Sequence, residues 1–434
     1  MTPGSALQEL LLALTPRVAV QPSLSGPSKF DMHPKRASAT KAFVEDLGLQ
    51  AVDHTSTLLS FADQAGNAAG PIFASSLFPY LAFLYFLRQD VNGLSPVAKA
   101  GFTFLLAFVA GTIGCSIASV KMYGLTLANC DWLHSYAEQL LAFTNIIDVV
   151  GLKLTLDGFL SGKITQPATA EQVADGKIGE LGVIGIATFV AGLACVLTLT
   201  ANGGGDFAGH TAYLGGFGNL PDGLFPPEPE NALSIPTWVI HASSLLEWLV
   251  AQGLVWRVAL ASGNEKWKGM TWGMIPSHSS GIVACTYHIF YNQVQDLVLL
   301  QSALTFIGNS CLAVAAYRIA ASNGWEFSLP GQEKKATTVA ASSENSEANE
   351  DSVETPSSTA LAQSQVDWLS LAPIFAWSLI ASYVVKYGGA AMPAGVFNGG
   401  PEWLALLIVV LPSAFNVYKW NERSKVGGDF KGLI

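Results

Sequence analysis

The chain has 434 residues, 50% of them hydrophobic and 12% charged, with a formal net charge of −10. That is about half the charged fraction of a soluble globular protein, and with a mean hydropathy of +0.38 it excludes an ordinary soluble domain. The basic residues are spread thinly among loops, which excludes a nucleic-acid-binding surface. The cysteines, Cys115, Cys130, Cys195, Cys285 and Cys311, form no CxxC pair and read as apolar fillers, without a disulfide framework or a metal site.

Residues 1–41 carry Arg17, Lys29, Lys35, Arg36 and Lys41 among much Ser, Ala and Pro, and their one apolar run is broken by proline and arginine. An organelle transit peptide is expected there, with a disordered cytosolic tail as the alternative. Residues 42–70 are acidic, without a Lys or Arg. Then come nine apolar runs, so the expected fold is an all-α polytopic membrane protein of about nine transmembrane helices. Spans one to three, Pro71–Leu87, Gly101–Val120 and Asp131–Leu152, make a first unit over 71–160. Span four, Ile178–Leu199, is rich in Gly and Ala; a Gly- and Pro-rich loop follows to residue 236. Spans five to seven, Trp238–Trp256, Gly269–Asn292 and Leu297–Ala316, make a second unit over 237–320. The Ser-, Glu- and Ala-rich segment 322–365 cannot bury a core and is expected to be disordered. Spans eight and nine, Trp368–Val385 and Leu404–Tyr418, lie in 366–434 with a basic tail.

Basic residues test this topology. With the C-terminus on the synthesis side, that side receives Arg88, Lys99, Lys153, Lys163, Lys177, Arg257, Lys266, Lys268, Arg318, Lys334, Lys335, Lys419, Arg423, Lys425 and Lys431. The other side, beyond the first segment, receives Lys121 and Lys386. The positive-inside rule is satisfied. A weak repeat runs through the two units. FASSLFPYLAFLYFL echoes IHASSLLEWLVAQGLVW, and spans three and seven each carry a central asparagine, Asn145 and Asn309. Span four between the copies lets both units run in the same direction.

Ionisable side chains are costly in hydrocarbon and are functional candidates wherever they occur there. On span three, Asp131, His134, Glu138, Asn145 and Asp148 fall in an arc of about 100°. Spans five and six form a hairpin that places Glu247 level with His278, and His241 level with Cys285 and His288. On span six, His278, Gly281, Cys285, His288 and Asn292 fall in an arc of about 80°. Three readings follow. The first is a polar seam that sets helix packing, with Glu247 and His278 sharing a proton. The second is ligation of a cofactor, haem or chlorophyll, by His241, His278, Cys285 and His288. The third is a path for protons or a small solute. No Gly-x-Ser-x-Gly, His-Glu-x-x-His or Walker loop is present, and an enzyme is the poorest fit.

SIPTWVIHASSLLEWLVAQGLVWR, GNEKWKGMTWGMIPSHSSGIVACTYHIFYN and the following span closely resemble an uncharacterised plastid and cyanobacterial membrane family, the conserved plastid reading frame numbered forty-nine. ASSLFPYLAFLYFL with LANCDWLHSYAEQLLAFTN resembles a second uncharacterised family from the same organisms. Both resemblances imply a photosynthetic organism and, with residues 1–41, a chloroplast membrane; neither implies an activity. The expected role is therefore non-enzymatic, in the assembly or maintenance of a photosynthetic membrane complex. The expected setting is the thylakoid, with the C-terminus in the stroma. A haem- or chlorophyll-binding protein is the alternative, and a transporter the third reading.

Overall fold

The computed structural model describes residues 68–169, 171–172, 229, 231–327, 372–393 and 395–426. The expected transit peptide, span four, the body of the 200–236 loop and nearly all of the 322–365 segment lie outside them. The described residues are all-α, with eight helices and no strand: α1 Ala69–Leu87, α2 Pro96–Tyr123, α3 Asp131–Leu160, α4 Ile235–Ser262, α5 Lys266–Ile289, α6 Asp296–Ser322, α7 Ala372–Ala390 and α8 Glu402–Val426. Six of these, all but α5 and α7, are long and apolar enough to cross a membrane. This is a multi-pass membrane protein. The count of nine is not reached among the described residues. Lys266 and Lys268 with the polar run Ser277–Ser280 dilute the apolar character of α5, and α7 has 19 residues with Lys386 and two glycines near its end.

Local signals set the helix ends. Ser95 caps α2, its Oγ accepting from the Ala98 N–H at 3.2 Å, with Pro96 in the first turn. Pro236 opens α4 in the same manner. Gly263, at φ +69°, ends α4 in the left-handed region open to glycine, so the chain reverses into α5 within a few residues.

The repeat seen in the sequence is a repeat in space, with exchanged partners. Within each unit the third helix lies along the second, α3 on α2 and α6 on α5. Between units, α1 lies along α6 and α3 along α4. Asn309 of α6 donates to the Ser76 carbonyl of α1 at 3.0 Å, and Asn145 of α3 donates to the Ser244 carbonyl of α4 at 3.3 Å. Ser76 and Ser244 hold the same place in the two ASS motifs. Ser76 meets Asn309 while Phe86, further along, meets Tyr317, so α1 and α6 run parallel. His134 meets His241 and Asn145 meets Ser244, so α3 and α4 do too. The two units share one direction, as the sequence requires.

Equivalent contacts recur inside the units. Tyr80 of α1 donates to the Phe102 carbonyl of α2 at 2.5 Å, and Trp248 of α4 donates to the Met274 carbonyl of α5 at 3.1 Å. A Cβ on Gly101 of α2 would strike Asp148 and Ile147 of α3; one on Gly273 of α5 would meet the backbone of Cys311 and Leu312 of α6 at 3.2–3.3 Å. With lipid outside as apolar as the interior, such close packing and interhelical hydrogen bonds hold the bundle. Outward faces carry exposed Phe78, Trp377, Trp403 and Leu411, as lipid contact demands.

Both ends are tied by asparagines. At one end Asn323 donates to Asn92 Oδ1 at 3.1 Å, and Asn264 donates to Asn323 Oδ1 at 2.9 Å. At the other, Asn231 and Asn292 both donate to Asn129 Oδ1, at 3.2 and 2.7 Å. Arg88, Lys99, Lys163, Lys266 and Lys268 flank the first end, whereas Lys386 lies at the second and donates to the Leu233 carbonyl at 2.8 Å. The α7 helix packs on α4 and α8 on α5, outside the six.

Candidate functional site

The six helices α1–α6 surround a cavity of about 330 Å³, to which every one of them contributes wall. Its surface is mainly apolar. Among the polar residues in its wall are His134, Glu138, Asn145 and Asp148 from α3, His241 from α4, and His278, Cys285 and His288 from α5. The polar arcs read from spans three and six are thus walls of one chamber. The ring is nearly open at one joint. Contacts between α1 and α2 gather where Tyr80, Phe83 and Arg88 meet Phe102 and Thr103, and there are few others. The equivalent joint, α4 against α5, is closed along more of its length.

At one end of the chamber three histidines converge. His134 is the fourth residue of α3, His241 lies in the second turn of α4, and His288 is the penultimate residue of α5. All three are buried, and each offers a nitrogen within 4.8 Å of the others'. His134 Nε2 and His241 Nε2 stand 3.0 Å apart, so one nitrogen donates to the other. The rings of His241 and His288 stack, with centroids 5.1 Å apart and planes 26° apart. Glu138 Oε2, one turn beyond His134, lies 4.0 Å from His241 Nδ1. The Nδ1 atoms of His134 and His288 are buried with no hydrogen-bond partner.

The depth alignment of the α4–α5 hairpin holds for His241 with His288, which stack. It does not join Glu247 to His278. Both carboxylate oxygens of Glu247 and both ring nitrogens of His278 are buried and partnerless. The reason is azimuth. Leu245 faces α5, where a Cβ on Gly281 would meet it, and Glu247 is two residues further, about 200° round the helix. His278 lines the cavity; Glu247, 3% exposed, does not. Equal depth on two helices leaves rotation undetermined.

The other predicted residues divide similarly. Asn292 leaves the arc to tie the end loops, donating to the Ala128 carbonyl at 2.9 Å and to Asn129. Asp131 also works in that end, accepting from Thr237 Oγ1 at 2.7 Å and from the Ser234 N–H at 3.1 Å. Asp148 sits against Gly101 with Oδ1 partnerless. Cys285 lines the chamber, one turn before His288. Sequence reasoning did not find Tyr80 and Trp248; aligning the ASS motifs brings them to equivalent places. It also did not bring His134 to His241, because nothing in one span states which other span it faces.

A tetrapyrrole held between His241 and His288 does not fit. Axial ligands present nitrogens end-on from opposite sides of a macrocycle, whereas these rings present their faces to each other in contact. His278 is a different case: its ring lines the cavity with both nitrogens free, so one axial bond from it to a group inside is compatible with the geometry.

The units coincide with matches to known families. Residues 69–157, spanning α1 to most of α3, match the model described as protein of unknown function (DUF3593). Residues 232–318, spanning α4 to most of α6, match protein of unknown function (DUF2499). The chain is 50% identical over 91 residues to a Ycf49-like protein of Synechocystis sp. (strain ATCC 27184 / PCC 6803 / Kazusa), covering 20% of this chain and 88% of that one. It is 37% identical over 84 residues to the uncharacterized protein ycf49 of Cyanophora paradoxa, covering 19% of this chain and 82% of that one. No solved structure matches it. The histidine cluster therefore draws His134 from one matched segment and His241 and His288 from the other. Through its second three-helix unit the chain belongs to the cyanobacterial and plastid Ycf49-like family, and it carries the DUF3593 unit fused ahead of it.

Proposed function

We propose that this protein is a non-enzymatic component of a chloroplast membrane, the thylakoid, serving the assembly or maintenance of a photosynthetic complex by holding a lipid-soluble ligand in its six-helix chamber. The chamber carries this reading: about 330 Å³ in volume, mainly apolar, walled by both fused units and least closed between α1 and α2. Neither unit alone encloses it, which gives a reason for the fusion. A cavity of this size with a few convergent polar groups suits a small molecule. The α1–α2 joint offers entry from the lipid. Inside, His278 supplies a polar contact for an apolar body; haem or chlorophyll, taking one histidine as axial ligand, is a ligand of that description. The chloroplast setting rests on the kinship and on residues 1–41 read as a transit peptide. The stromal C-terminus rests on the basic-residue bias.

The test is to purify the full chain in mild detergent and analyse its organic extract. One apolar compound per chain is expected, absent from Ala284→Trp, which fills the chamber wall. A null strain should lose photosynthetic complexes, and Ala284→Trp should fail to restore them. An extract holding only bulk lipid, unchanged by the substitution, would remove the chamber's role. Protease added to intact thylakoids should cut 322–365 and spare 200–236; the reverse would overturn the orientation.

A further inference from the structure

From their convergence we infer that His134, His241 and His288 form a binding site for one divalent transition-metal ion. Imidazole nitrogens suit zinc, copper, iron and nickel, and three of them with an open fourth position is a known ligand set for zinc. A tetrahedral ion with bonds of about 2.0–2.1 Å sets its ligands about 3.3 Å apart. His134 Nε2 and His241 Nε2 already stand 3.0 Å apart, and the third nitrogen lies within the 4.8 Å that bounds the cluster. The lone pairs of stacked rings do not converge, so His241 or His288 must turn out of the stack to complete the set. Binding needs both Nε2 atoms as acceptors, so the proton they share must leave or move. Glu138, 4.0 Å from His241 Nδ1, is placed to take an N–H there, the arrangement by which carboxylates orient metal-ligating histidines. Its charge also offsets part of the ion's.

Position favours the ion as well. The cluster lies within about one to two turns of the bundle end, where α3 starts and α5 finishes, rather than at mid-depth. The buried, partnerless Nδ1 of His288 is a lone donor or acceptor that a helix seam leaves unexplained. All three rings line the chamber, so the fourth position has room for water or a ligand atom. An ion held there needs nothing else in the chamber, and a chamber empty of lipid-soluble ligand would leave this site standing.

The probe is Co²⁺ alone, titrated into the detergent-purified full chain and followed by its visible absorption. One Co²⁺ per chain is expected, displaced by Zn²⁺, with X-ray absorption of the loaded wild type showing a shell of three imidazole nitrogens. His134→Ala, His241→Ala and His288→Ala should each lower affinity at least about 100-fold. Glu138→Gln should lower it about 10–100-fold, and His278→Leu should leave it unchanged. A wild type that takes up no Co²⁺ or Zn²⁺ overturns the site. So does a sulfur-dominated shell, which would put the ion on cysteine, or binding that survives His288→Ala. The X-ray measurement needs no variant and stands even where a substitution prevents folding.

Discussion

The histidine corner and its counterpart across the ring have one framework and two chemistries. Alignment of the ASS motifs and of the glycine and asparagine contacts sets Phe73 of α1 opposite His241, Ser116 of α2 opposite His288, and Val298 of α6 opposite His134. Phe73 and Val298 belong to an apolar cluster with Ile282, Val283 and Tyr287, and Ser116 is buried with a partnerless hydroxyl. The backbone-directed bonds of Asn145 and Asn309, and of Tyr80 and Trp248, are held in common. Packing thus fixed the ring, and only one corner was given groups that bind. A seam needed solely to align helices has no reason to differ so sharply from its equivalent.

The shared framework is most severely tested at the glycines. Gly101→Leu and Gly273→Leu each force α2 off α3 or α5 off α6, and each should cost about 3 kcal/mol or more. Thermal unfolding in detergent should show losses of similar size; tolerance at one position alone would break the equivalence. Asn145→Leu and Asn309→Leu each remove one interhelical hydrogen bond, worth about 1 kcal/mol. Being at opposite interfaces, their losses should add to within about 0.5 kcal/mol in the double variant.

The smallest effect lies where the comparison finds unshared polar groups. Glu247 and His278 correspond to Pro79 and Leu106 in the other unit, and neither has a partner. Glu247→Leu and His278→Leu should each leave stability unchanged or slightly raised, and a double-mutant cycle should show coupling below about 0.5 kcal/mol. A loss of about 1–3 kcal/mol in each single variant, recovered in the double, would mean that they pair after all.

Much of the frame was legible in the chain. Apolar length placed a span on each of the eight described helices, with every start within five residues, because a membrane span announces itself by composition. Several helices run up to eight residues past the apolar stretch. The ASS repeat and the two asparagines implied parallel units, and the hydrogen bonds of Asn145 and Asn309 join them. The partner exchange was not legible: a repeat states that two units are alike, and says nothing about which helix of one lies on which helix of the other. For the same reason the arc of span three showed that His134 and Glu138 share a face but not what they face: His134 meets α4 and α5, and Glu138 lies near His241. Depth was recoverable from the hairpin, rotation was not, and Glu247 shows the cost of that.

The exchange of partners is the central claim, since without it neither the chamber nor the histidine corner exists. It is tested most directly by cysteine cross-linking in membranes, on a chain whose five native cysteines are replaced by alanine. Ser76→Cys with Asn309→Cys joins α1 to α6, where the Asn309 amide now lies 3.0 Å from the Ser76 carbonyl. Mild oxidation or a short thiol cross-linker should couple this pair in high yield, as it should Ser244→Cys with Asn145→Cys. Coupling of Ser76→Cys to Asn145→Cys instead, within the first unit, would contradict the account.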